Sequence, residues 1–292
     1  MAVVLHGWFD DSKRDDGEQA VAALAGCVGT AEQWEIQDAA WRNDVLARFG
    51  LEHYHTKEFA GFKGAYAQFR GNEPRILELS RAILGTFKKS QVRPFAAMTR
   101  LDDLRRFNRE RGRDMGHYAL NIYTCMFNIR QCFREELTND RLAQLNLDVS
   151  SGEDPGTNQA IRVAKLYART HNWSPGPVEN ILVSPMREEG LARHTPALQA
   201  ADFVVGEARR YVEDSRDFYN ARPDGESTQD FRNAMTRWAE ETGRKSPFHR
   251  GSYRALMSGK PYVVPHAWSF NSLCAFDDQR NGVWVLRDWK RR

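Results

Sequence analysis

The stretch Val3-Val4-Leu5-His6-Gly7-Trp8-Phe9-Asp10-Asp11-Ser12 decides how the chain folds. Val3 to Phe9 is a nearly continuous apolar run, the composition of a strand covered on both faces, and it ends in two acids. Such a strand belongs in the middle of a sheet. Alternation puts His6, Trp8 and Asp10 on one face and Phe9 with Asp11 on the other. Asp10 therefore keeps strand geometry, and Asp11 joins it only if the chain turns there. The polar run from Asp10 to Gly17 reads as a connection to a second strand of small residues, Ala20 to Val28, which closes a hairpin.

Outward from the hairpin the periodicity changes. Trp34, Ile36, Ala40, Trp41, Val45 and Phe49 recur at helical spacing, and Gly50 stands where that helix would end. Leu51 to His55 alternates, which predicts a short extended segment before Thr56-Lys57-Glu58-Phe59. Pro74 opens a second helix, with Ile76, Leu79, Ile83 and Phe87 on one face. The pattern then predicts a strand over Val92 to Met98, a strongly amphipathic helix over Tyr118 to Leu137 and a strand over Leu145 to Val149. A helix over Ile161 to Thr170, a strand over Ile181 to Val183 and a helix over Pro196 to Val212 follow. Strands interleaved with helices predict a layered α/β domain. Beyond Tyr211 the texture is polar and turn-rich, with a helix over Gln229 to Thr242 and an irregular or β stretch from Tyr262 to Trp289. The expected organisation is a core over residues 1–212 and an accessory C-terminal extension, 213–292, packed on it.

Composition narrows the function classes. The chain has 292 residues, 41% hydrophobic and 28% charged, enough for a sizeable core. No apolar run approaches the ~20 residues of a spanning helix, so no membrane partner is expected. The N-terminus lacks the basic start and long apolar stretch of a signal peptide. Cys27, Cys125, Cys132 and Cys274 form no CxxC pair, which predicts neither a zinc knuckle nor a disulfide framework and points to a cytoplasmic protein. Net charge is only +3, but Lys88 to Arg113 holds nine Lys/Arg against three Asp/Glu, a local +6. That segment, which includes Arg105, Arg106 and Arg109, is either a surface that tracks phosphates or a solvated helix face with ordinary salt links.

Four places put side chains with chemistry where an α/β fold exposes them. Asp10-Asp11-Ser12 leaves the first strand. Asp148 interrupts the apolar run Leu145 to Val149, where an acid is costly unless it is paired, hydrogen-bonded or bound to metal; an ion pair with Arg162 is the structural alternative. Asp202 lies on the late helix, where Leu198, Ala201 and Val205 form the core stripe and Gln199, Asp202 and Gly206 an adjoining one. His55 and Glu58 are one turn apart if Thr56 begins a helix.

A carboxylate ending the first strand, another on a later strand and a third on a late helix form the pattern of RNase H-like folds. Trp8-Phe9-Asp10-Asp11-Ser12, His55-Thr56-Lys57-Glu58 and Leu198-Gln199-Ala200-Ala201-Asp202-Phe203 together resemble domain of unknown function family 3800, over roughly residues 1 to 210. Members open with Asp-Glu-Ser-Gly after an aromatic or aliphatic residue; here the Glu is Asp11 and the Gly is Lys13. The resemblance implies an RNase H-like mixed sheet and a cluster of carboxylates suited to two Mg²⁺ or Mn²⁺ ions. Asp10, Asp148 and Asp202 would be the metal ligands, with Asp11 and Glu58 as additional candidates. His55 would orient water or the scissile phosphate, while Ser12 and Gln199 would support the ligands. The activity implied is metal-dependent hydrolysis of a phosphodiester in nucleic acid. The alternative is a binding module for nucleic acid or protein that keeps the fold without the catalysis. A second rival is a mononuclear hydrolase built on His53 and His55, which alternation puts on one face of a strand.

Overall fold

The computed structural model describes residues 3–14, 20–133, 142–150, 181–186, 195–214 and 266–268. Strand β1 (Val3–Arg14) lies between β2 (Val21–Gly29) and β4 (Leu142–Ser150). Strand β3 (Arg93–Arg100) follows β2 on one side, and β5 (Ile181–Met186) follows β4 on the other. Strand β6 (His266–Trp268) pairs with β3 and completes the order β5-β4-β1-β2-β3-β6. Only β2 runs against its neighbours; β1 with β4, β4 with β5 and β3 with β6 are parallel. The fold is α/β with a mixed central sheet, and β1 is interior, as its apolar run predicts.

The hairpin is longer than the sequence reading made it. Asp10 to Arg14 stay in β1, because their backbones pair with Val21 to Ala25 of β2. All nine residues of β2 are buried. Unpaired amides beside such a strand would be costly, so the ladder holds the chain extended even where the side chains are polar. Gly26 opposes Phe9 in this ladder, and a Cβ there would stand 2.0 Å from the Trp8 carbonyl oxygen. No side chain fits at that point.

Alternation divides the core into two. On one face Leu5 and Phe9 of β1 join Leu24, Val28, Phe95, Ala97, Leu145 and Leu147, under α4 (Leu101–Arg111) and α5 (His117–Cys132). On the other face Ala23, Ala25, Cys27, Ala96 and Met98 pack against α1 (Ala31–Ala40), α3 (Glu73–Ser90) and α6 (Pro196–Asp214). Thr30 and Gln33 close a capping box at the start of α1. The helix then widens into a π turn, Trp41–Ala47, that buries Trp41, Val45 and Leu46 together. It ends at Gly50, whose φ of 65° is the left-handed value a C-terminal glycine supplies. Asn72 caps α3, with Pro74 in its first turn.

Leu51 to His55 is not a strand; it runs irregularly into the short helix α2 (Thr56–Ala60). The expected helices over Ile161 to Thr170 and Gln229 to Thr242 lie outside the described residues, as does most of 213–292. Helix α6 runs through residue 212 to Asp214, and β6 adds three residues of the C-terminal region to the sheet edge. Among the described residues no helix is long and apolar enough to cross a membrane.

Candidate functional site

Asp10 pairs with Ala25 and Ser12 with Ala23, both residues of the α6-side core, so Asp10 and Ser12 occupy that face of β1. Register with β4 matches Trp8 to Asp148 and Asp10 to Ser150, which puts Asp148 on the same face. The two positions are on adjacent parallel strands and offset by two residues, a backbone separation of roughly 8 Å. The side chain of Asp148 lies outside the described residues, as does Arg162. The Asp11 backbone N–H donates to Asp10 Oδ1 at 2.9 Å, which fixes that carboxylate.

Asp11 itself is on the other face. It opposes Leu24 of the α5-side core and lines a small cleft with Lys13, His117, Tyr118 and Asn121. The chain does not turn at Asp11, so alternation separates it from Asp10, and the two are not on one side of the sheet.

The stripe Gln199, Asp202 and Gly206 on α6 grips the segment that leads into α2. Gln199 is buried, and its Oε1 accepts from Trp41 Nε1 at 3.0 Å and from the Tyr54 N–H at 2.8 Å. Asp202 Oδ2 accepts from the Thr56 N–H at 2.6 Å, and Thr56 Oγ1 donates to the Asp202 carbonyl at 3.0 Å. Gly206 admits the Thr56 side chain, since a Cβ there would lie 2.4 Å from Thr56 Cγ2. The amide between these two, that of His55, donates to Tyr66 Oη at 2.9 Å, and the phenol donates onward to the His53 carbonyl at 2.7 Å. Three successive amides, 54 to 56, are thus held by three side chains. This is why the alternating segment is not a strand: its hydrogen bonds go to side chains instead of a neighbouring strand.

The anchored segment brings His53, His55 and Glu58 together. Glu58 Oε2 is 3.2 Å from His53 Nε2, and Oε1 is 3.5 Å from His55 Nδ1. Burial works against charge on Glu58, but the imidazoles of His53 and His55 outweigh it and hold the carboxyl below the usual glutamate range. Burial pushes the Tyr66 phenol up, its bond from the His55 amide opposes this, and the carboxylates of Glu58 and Asp202 push it further. Glu58 and Asp202 therefore both act on Tyr66. Among the described residues no three His, Cys, Asp or Glu side chains form a group able to hold a metal ion.

The basic segment divides. Lys88 and Lys89 end α3 just before β3, whereas Arg105, Arg106 and Arg109 are on α4, which leaves the far end of β3. The eight residues of β3 separate the two groups by about 23 Å. Arg105 is 3.4 Å from Asp102, Arg106 2.8 Å from Glu110, and Lys89 is paired with Asp44. Because β1, β3 and β4 run the same way, α4 begins at the sheet end where Asp10 and Asp148 stand.

Tyr66 carries no signal in the sequence: it sits among Phe59, Phe62 and Phe69, where an aromatic reads as core. Its polar tip, joining His53 to His55, is the part that periodicity cannot see. Cys27 and Cys125 are buried with thiol pKa values pushed up by burial, the state of inert core thiols. No family model matches the chain, and neither a curated protein nor a solved structure matches it.

Proposed function

We propose that this chain is an RNase H-like, metal-dependent nuclease that hydrolyses phosphodiester bonds at a carboxylate site made by Asp10, Asp148 and Asp202. One observation carries the reading: Asp10 and Asp148 are on adjacent parallel strands, on the sheet face over which α6, the helix of Asp202, packs. The mixed sheet, in which β1 to β5 follow the order 3-2-1-4-5 with only the second reversed and β6 lies beyond β3, supports the RNase H-like reading and the resemblance to domain of unknown function family 3800.

The donor chemistry fits Mg²⁺ or Mn²⁺. Aspartate oxygens are hard ligands, and backbone N–H groups already orient Asp10 and Asp202. A bound pair of such ions would activate a water and stabilise the leaving oxygen. Ser12 stands beside Asp10 on its face, and Gln199 acts through the Tyr54 amide instead of on a ligand. Arg105, Arg106 and Arg109 stand at the same end of the sheet, on α4 over the opposite face, and supply positive charge for a nucleic-acid backbone that passes around that end.

The test is cleavage of single-stranded, duplex and hybrid oligonucleotides by the purified protein with Mg²⁺, Mn²⁺ or chelator. Asp10→Asn and Asp202→Asn should abolish metal-dependent cleavage. Metal-independent binding with no cleavage of any substrate would leave the non-catalytic binding module instead.

A further inference from the structure

We propose that Glu58 is a positioning residue and not a metal ligand: it holds His53 and His55 as a fixed imidazole pair, with His55 directed at the phosphodiester. This inference rests on the nuclease reading for its substrate and on geometry alone for its core. Each oxygen of Glu58 faces a different ring, Oε2 towards His53 Nε2 at 3.2 Å and Oε1 towards His55 Nδ1 at 3.5 Å. A carboxylate shared in this way has both oxygens engaged before any ion approaches.

The two rings differ in access. The side chain of His53 is 20% exposed and that of His55 is 46% exposed, so His55 is the one open to a substrate. With Nδ1 turned to Glu58, its Nε2 points away from the carboxylate, the orientation that a supporting carboxylate gives a functional histidine. The backbone beneath the pair is fixed by Gln199, Tyr66 and Asp202, which take the amides of Tyr54, His55 and Thr56 in turn. Three anchored amides hold the backbone of the pair in place, the support that a site of defined geometry needs. The lowered pKa of Glu58 agrees with two imidazoles facing it.

Calorimetric titration of Mn²⁺ into the full-length wild type, Glu58→Gln and Asp10→Asn separates a positioning role from ligation. Glu58→Gln should bind Mn²⁺ within about twofold of wild type, while Asp10→Asn loses at least ~10-fold. In cleavage, Glu58→Gln and His55→Gln should each lower kcat/KM, and the double variant should be no slower than the slower single one. Loss of Mn²⁺ affinity in Glu58→Gln equal to that in Asp10→Asn makes Glu58 a ligand and overturns the proposal, as do multiplicative losses in the double variant. If wild type neither binds Mn²⁺ nor cleaves, the nuclease reading fails by itself, and thermal melts of the same variants decide the pair. A double variant that melts no lower than the weaker single one supports the positioning role, and additive losses overturn it.

Discussion

Asp202 and Thr56, 146 residues apart in sequence, are bonded twice, through the carboxylate to the Thr56 N–H at 2.6 Å and through the Thr56 hydroxyl to the Asp202 carbonyl at 3.0 Å. The first bond gives Asp202 a structural duty beside any metal duty, and the two can be separated. Asp202→Ala leaves the Thr56 N–H without its acceptor and should cost about 1–3 kcal/mol. Asp202→Asn keeps an amide oxygen at the same place and should cost less than about 1 kcal/mol. Urea denaturation measures both. If millimolar Mg²⁺ raises the wild-type melting temperature, Asp202→Asn should lose that rise while keeping most of its metal-free stability.

Two glycines are held to be glycine by different neighbours, and alanine should show it. At Gly26 a Cβ would meet backbone, the Trp8 carbonyl oxygen at 2.0 Å and Phe9 Cα at 2.7 Å, which cannot move without breaking the β1–β2 ladder. Gly26→Ala should cost more than about 3 kcal/mol or prevent folding. At Gly206 the obstacle is a side chain, Thr56 Cγ2 at 2.4 Å, so Gly206→Ala should cost about 1–3 kcal/mol. Adding Thr56→Ser removes that methyl and should recover part of the loss. Failure of the second change to recover anything would show that the helix approach is set elsewhere.

What the sequence made legible follows from what periodicity can carry. Val3 to Phe9 reads as interior because an uninterrupted apolar run has no polar face to give to water, and β1 is interior. The stripe Gln199, Asp202 and Gly206 is visible from helical spacing, but its purpose is not, because Thr56 and Tyr54 meet it only through long-range folding. The end of β1 is misread for the same reason: Asp10 to Arg14 look like a loop alone and are strand only beside β2. Lys88 to Arg113 looks like one basic surface along the chain, yet β3 runs through its middle and carries its halves to opposite ends of the sheet. Local charge density is one-dimensional, and a surface is not.

Glu58 should leave a mark on acid stability. Its folded pKa is lower than the ordinary value of 4.5, so the unfolded chain takes up a proton more readily than the folded one. The stability this group contributes is therefore complete above that unfolded value and is lost as pH falls through the lowered folded value. Denaturation midpoints between about pH 6 and about pH 3 should fall less steeply in Glu58→Gln than in wild type. Equal slopes would mean that the imidazoles of His53 and His55 do not hold the carboxylate in solution.

The division of the basic segment gives the last prediction, because it makes two equally charged groups unequal. Arg105 and Arg106 are exposed on α4, which starts at the sheet end of Asp10 and Asp148. Lys88 and Lys89 stand at the other end of the sheet, one of them already paired with Asp44. Although α4 packs on the face opposite the carboxylates, a nucleic-acid strand that passes around this end of the sheet would meet the first pair, whereas the second lies at the other end. Arg105→Glu with Arg106→Glu should weaken oligonucleotide binding for all sequences alike and flatten its dependence on salt, by about one unit of log–log slope for each phosphate no longer neutralised. Lys88→Glu with Lys89→Glu should leave both unchanged. The reversals on α4 also break the pairs to Asp102 and Glu110, but exposed pairs of this kind are worth under about 1 kcal/mol, so the fold should survive to be measured. Equal losses from the two double variants would mean that binding follows overall charge, and no loss from either would return α4 to a solvated helix face.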